Sequence, residues 1–162
     1  MVDTATFGAE SFDFTTNLQA SLSSTQDDFT FPLAFFDRIT NYFIFLYSQF
    51  DRRNDFTLFS TSACPTDAPD LVFNVETLEN KTIPITVKAS SYLRFNSVSS
   101  ICEVLFKPST SDKLQLGDNF FQRYVVSFDS GAAPSNLPRI GFTDRLQTPI
   151  PKSVEELLMQ QI

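Results

Sequence analysis

Two short runs in this chain place large apolar residues at every second position: Leu71, Phe73 and Val75 in DLVFNVE, and Ile83, Ile85 and Val87 in TIPITVK. A period of two sets apolar side chains on one face of an extended strand, which helical spacing cannot do. The intervening TLENKT is rich in turn-forming residues, so the pair reads as a β-hairpin. The chain therefore has to build sheet. Short strands are also expected around Phe7, Phe12, Phe14 and Leu18, in FTLFS, and over 101–106, 124–129 and 139–142. Against this background one segment changes period: Leu33, Phe36, Ile39 and Phe43 recur every three or four residues after Pro32, as on one face of a helix. SSTQDD at 23–28 reads as a solvated loop, QFDRRND as a charged turn, and Pro65 and Pro69 bracket another loop. Past Pro149 and Pro151, Ser153 and Glu156 form a capping box for a short amphipathic helix through Val154, Leu157, Leu158 and Ile162. The expected fold class is all-β with a few short helices.

Composition narrows the chemistry mainly by what it lacks. There is no histidine among the 162 residues, which removes Ser-His-Asp and Cys-His catalysis and the commonest zinc ligand. Four glycines are too few for a dinucleotide fingerprint or a phosphate-binding loop, and two cysteines cannot form a four-thiolate metal site. Carboxylates are what remains for unaided catalysis. A net charge of −7 opposes binding to nucleic acid or to an anionic membrane. The most apolar stretch, FPLAFFDRITNYFIFLY, is interrupted by Asp37 and Arg38 and is too short to span a bilayer. Nineteen phenylalanines and no tryptophan point to a core built largely from Phe rings. Cys64 and Cys102 fit either one disulfide or two buried thiols. No signal peptide is visible in MVDTATFGAESF, which has neither a basic start nor an apolar run. Asn80-Lys81-Thr82, at the expected hairpin tip, is a sequon for N-glycosylation.

The segment LQLGDNFFQRYVVSFD at 114–129, followed by Ile140-Gly141-Phe142, resembles the C-terminal end of pepsin-like aspartic proteases. In that family an apolar strand enters a Gly-Asp turn, a short helix follows, and a strand ends in Phe-Asp. Upstream, SACPTDAPDLVFNVE is similar to the family's cysteine, Pro-Asp and apolar strand, and IPITVKASSYLRFNSVSSIC to its next hairpin, with Ser91-Tyr92-Leu93 and the partner cysteine. The matched segments cover roughly 33–143. The resemblance implies a partial pepsin-like lobe with N-terminal strands of uncertain lobe origin at 1–31, a C-terminal-lobe-like domain at 32–147 and a helical tail at 148–162. It further implies a Cys64–Cys102 disulfide, no cofactor and no metal, and a secreted, lysosomal or vacuolar location. Asp118 is expected to cap a helix beginning at Asn119, with Gly117 easing the turn. The resemblance implies structural roles for Asp118 and Asp129.

Pepsin-like enzymes pair two aspartates, one from each lobe, each in an Asp-Thr/Ser-Gly turn. The pair shares a proton, so one carboxylate activates water while the other protonates the substrate carbonyl. The candidate here is Asp3, flanked by Thr4 and Thr6. On that reading, Ala5 stands where the family has glycine, and the spacing to Cys64 is much longer than in the family. The competing reading makes VDTATFG a structural strand similar to the one after the flap in the N-terminal lobe, and it is the favoured one. The family then implies a peptide or protein substrate if the chain is active, and a second lobe or a second copy to complete the site.

Overall fold

The computed structural model describes residues 2–77, 79–130 and 139–144. Strands and helices run in the order β1 (Val2–Phe7), β2 (Glu10–Leu22), β3 (Phe29–Pro32), α1 (Leu33–Leu46), β4 (Asp51–Arg52), β5 (Leu58–Ser60), β6 (Leu71–Glu76) and β7 (Thr82–Val87). Then come α2 (Ala89–Tyr92), β8 (Leu93–Asn96), β9 (Ile101–Val104), β10 (Phe106–Ser109), β11 (Lys113–Leu116), α3 (Asp118–Phe121), β12 (Tyr124–Asp129) and β13 (Arg139–Asp144). The chain divides into two compact units, Met1–Gln122 and Arg123–Ile162. The expected helix at 153–162 lies outside the described residues.

In the first unit, seven strands form a sheet in the order β10-β3-β11-β2-β1-β6-β7, and β4-β5-β9-β8 form a second sheet of four. The alternating hairpin pairs as its pattern requires: Leu71 faces Val87, Phe73 faces Ile85 and Val75 faces Ile83. β1 lies between β2 and β6, antiparallel to both. Gly8 turns the chain from β1 into β2 at φ +60, a conformation in which a Cβ would be strained. The expected short strands around Phe12, Phe14 and Leu18 are one long β2. It pairs with β1 and then, over Gln19–Leu22, runs parallel to β11. The expected strand at 101–106 instead breaks at Leu105, where the chain passes from the small sheet to the large one. There the Leu105 amide donates to the Tyr92 carbonyl at 2.7 Å, and the Phe29 amide donates to the Leu105 carbonyl at 2.8 Å.

Helix α1 buries Phe35, Phe36, Ile39, Thr40 and Phe43, one face at helical spacing. Leu33, expected on that face, is 53% exposed, and Phe35 takes the inward place. The buried rings meet Phe7, Phe31, Phe73 and Tyr92, mostly edge to face, and Phe106 joins the cluster through Phe31: Phe31 and Phe35 lie 5.0 Å apart and Phe31 and Phe106 5.1 Å. Each buried ring removes enough apolar surface from water to contribute about 1.5–3 kcal/mol. The buried Thr40 hydroxyl donates to the Phe36 carbonyl at 2.7 Å and accepts from the Arg52 guanidinium. Arg52 also pairs with Asp37 at 3.3 Å, which fastens β4 to the helix.

The segments that carry the family resemblance are tied to one another. Cys64 and Cys102 form a disulfide, Cα atoms 5.2 Å apart. The Tyr92 hydroxyl, on a fully buried ring, donates to the Pro69 carbonyl at 2.6 Å, and burial pushes its pKa well above the usual tyrosine range. Asp70 accepts from Lys88 at 2.6 Å and from the Ala89 amide at 3.3 Å. Helix α3 starts one residue earlier than expected, with Gly117 at the cap position and Asp118 inside the first turn, and no side chain caps it. Asp118 contributes its amide, which donates to the Gln26 carbonyl at 2.6 Å. Gly117 has φ −77, so left-handed freedom is not its role; a Cβ there would meet the Asp28, Gln26 and Asp27 carbonyl oxygens at 2.5–2.7 Å. Close approach of the 26–28 loop is what demands glycine.

The second unit's described residues form an antiparallel ribbon of β12 and β13, with Val126 facing Phe142 and Phe128 facing Ile140. Gly141 lies opposite Ser127, whose hydroxyl would sit 2.5 Å from an added Cβ.

Candidate functional site

Asp3 stands near the start of β1, in the middle of the seven-stranded sheet. Pairing with both neighbours shifts register between Val2 and Thr4. This irregularity breaks the alternation of the strand: Val2, Ala5 and Phe7 are buried, while Asp3, Thr4 and Thr6 each keep some surface exposed. Without the shift, Asp3 would share the inward face of Ala5 and Phe7, and a carboxylate would enter an apolar core. Thr4 accepts a hydrogen bond from the Asn74 side-chain amide at 2.8 Å, which ties β1 to β6. Residues 3–5 are extended strand, and the turn comes at Gly8-Ala9. The Asp-Thr-x-Thr run therefore lies along a sheet.

A second place carries charges beside apolar surface. An open cleft of about 480 Å³ is lined by Asp13, Phe14, Leu18 and Gln19 from β2, by Pro32, Ala34, Phe35 and Arg38 at the start of α1, and by 111–113. Phe14 and Phe35 meet edge to face at 5.2 Å and supply its apolar wall. Arg38 lies over the Phe12 ring at 4.7 Å, a cation–π contact that holds the guanidinium beside the cleft. Asp112 and Lys113 add a charge of each sign to its lining. Sequence reading missed this site because its lining comes from three distant segments, each ordinary alone. Their meeting depends on the parallel pairing of β2 with β11, which no local pattern announces.

The 23–28 loop also departs from expectation. Asp27 is exposed and pairs with Arg94 at 3.4 Å, but Asp28 is partly buried. Burial raises its carboxyl above the ordinary range, against the opposing pull of Lys107 and Arg94. Among the described residues, no group of three or more His, Cys, Asp or Glu side chains is placed to hold a metal ion. Asn80 is exposed at the tip between β6 and β7.

The profile of the eukaryotic aspartyl protease family matches residues 13–142, and the chain belongs to that family. Asp3 lies ahead of the matched residues. Among solved structures, basic 7S globulin from soybean is similar with a TM-score of 0.65 at 11% identity, over 88% of this chain and 39% of the globulin. Conglutin gamma, a basic 7S globulin from lupine seeds, is similar with a TM-score of 0.63 at 13% identity, over 78% of this chain and 33% of that one. At such identities the likeness is one of fold. The chain spans well under half of either globulin. No curated protein sequence matches it.

Proposed function

We propose that this chain is an incomplete aspartic endopeptidase-family domain, catalytically weak or inactive by itself. The observation that carries the reading is the setting of Asp3: it is extended on a mid-sheet strand and outside the matched span, where two-aspartate chemistry needs a turn and a partner carboxylate. Hydrolysis would then require a second lobe or a second copy to bring the other aspartate. The disulfide and the family fit an extracellular or lysosomal compartment. Among the described residues no helix is long and apolar enough to cross a membrane. The test is peptide hydrolysis near pH 3–5, where one of two coupled carboxylates stays protonated. At concentrations where the chain is monomeric it is expected to give no turnover that Asp3→Asn abolishes; Asp3-dependent turnover by the monomer would refute the reading.

A second reading, a non-catalytic peptide-binding or interaction module, is supported by the cleft beside α1. Its Phe14–Phe35 wall suits an apolar side chain, and the charges beside it, Asp13 and Asp112 with Arg38 and Lys113, balance. Two of the similar solved structures bear the name of globulins. If the cleft binds peptides, Phe35→Ala weakens binding of an apolar peptide at least tenfold in titration calorimetry. Unchanged affinity would dismiss the cleft.

A further inference from the structure

We propose that Asn80 carries an N-linked oligosaccharide. Asn80-Lys81-Thr82 is the single Asn-X-Ser/Thr sequon in the sequence, and it falls at the tip of the β6–β7 hairpin. All three residues are exposed. Asn80 sits at φ +55, a left-handed turn conformation that Asn tolerates better than most residues. The tip is held by two backbone hydrogen bonds, Asn80 N–H to the Thr77 carbonyl at 3.1 Å and Thr77 N–H to the Lys81 carbonyl at 2.8 Å. Thr82 then opens β7 opposite Glu76.

Further features of the fold suit a glycan at this position. The Cys64–Cys102 disulfide points to an oxidising compartment, the setting in which sequons are glycosylated. Among the described residues β7 is the outermost strand of its sheet, and the tip lies at the end of this outer hairpin. Pro84 within that edge strand lacks an N–H and already discourages another strand from adding there. None of the cleft-lining residues comes from β6 or β7, so a glycan at Asn80 would leave the cleft lining itself unmodified. The transfer bonds the Asn80 side-chain nitrogen to the anomeric carbon of a lipid-linked oligosaccharide. It breaks that carbon's bond to the lipid pyrophosphate, which departs as the amide loses a proton.

The test is to express the full chain behind a secretion leader in a eukaryotic cell and measure its intact mass. A mass above that of the polypeptide is expected, removed by peptide:N-glycosidase with conversion of position 80 to Asp, and absent in Asn80→Gln. Thr82→Ala should also abolish the addition, while Thr82→Ser should keep it, which separates loss of the sequon from loss of folding. Secreted chain with unmodified Asn80, or a glycan that persists in Asn80→Gln, would overturn the proposal.

Discussion

Gly117 and Asp28 show how single residues in this chain act through the backbone around them. The Gly117–Asp118 step stands out in the sequence, but its physical reason does not. The glycine is needed because three carbonyl oxygens of the 26–28 loop lie within 2.7 Å of where a Cβ would be. That loop is distant in sequence, so local reading assigned the glycine to turning instead. Gly117→Ala should therefore destabilise the fold by about 1–3 kcal/mol, the usual cost of overpacking, measured by urea unfolding. Asp28 is the opposite lesson, a carboxylate read as solvated that packing has partly buried. Its raised carboxyl means the folded state binds the proton more tightly than the unfolded chain does. The resulting stability is present below the unfolded value and is lost as pH rises through the folded one. Asp28→Asn should thus raise the thermal midpoint at neutral pH and leave it nearly unchanged in acid. A midpoint gain that is the same at both pH values would contradict this linkage.

At the scale of elements, periodicity was readable wherever one face of an element is buried. The β6–β7 hairpin and the α1 stripe come directly from apolar spacing, because packing imposes that spacing. The break at Leu105 could not be read, since Val104, Leu105 and Phe106 are continuously apolar and their assignment to two sheets depends on partners elsewhere. Within α1, Phe43 is fully buried against Phe7, Phe50 and Tyr92. Phe43→Ala should cost about 3–5 kcal/mol in denaturant unfolding. The disulfide joins the segment before β6 to β9 and closes a loop with a sequence separation of 38. Removing it in a Cys64→Ser, Cys102→Ser double variant should cost about 3–4 kcal/mol by restoring freedom to the unfolded chain. A double variant as stable as the parent would show that the cross-link adds little here.

For the whole molecule, what the sequence displayed was family membership, carried by several spaced segments that the fold ties together through Cys64–Cys102, Tyr92–Pro69 and Asp70–Lys88. The cleft beside α1 was not visible there, because it exists only once β2, β11 and the helix have assembled. Catalytic competence depends on a shared two-aspartate site, and the family match begins beyond Asp3. The most direct measurement is the initial rate of hydrolysis of a mixed peptide substrate at pH 4 as a function of chain concentration, for the parent and for Asp3→Asn. An incomplete domain predicts rates indistinguishable between the two at concentrations where the chain is monomeric. A rate proportional to monomer concentration and abolished by Asp3→Asn would show a self-sufficient peptidase and contradict it.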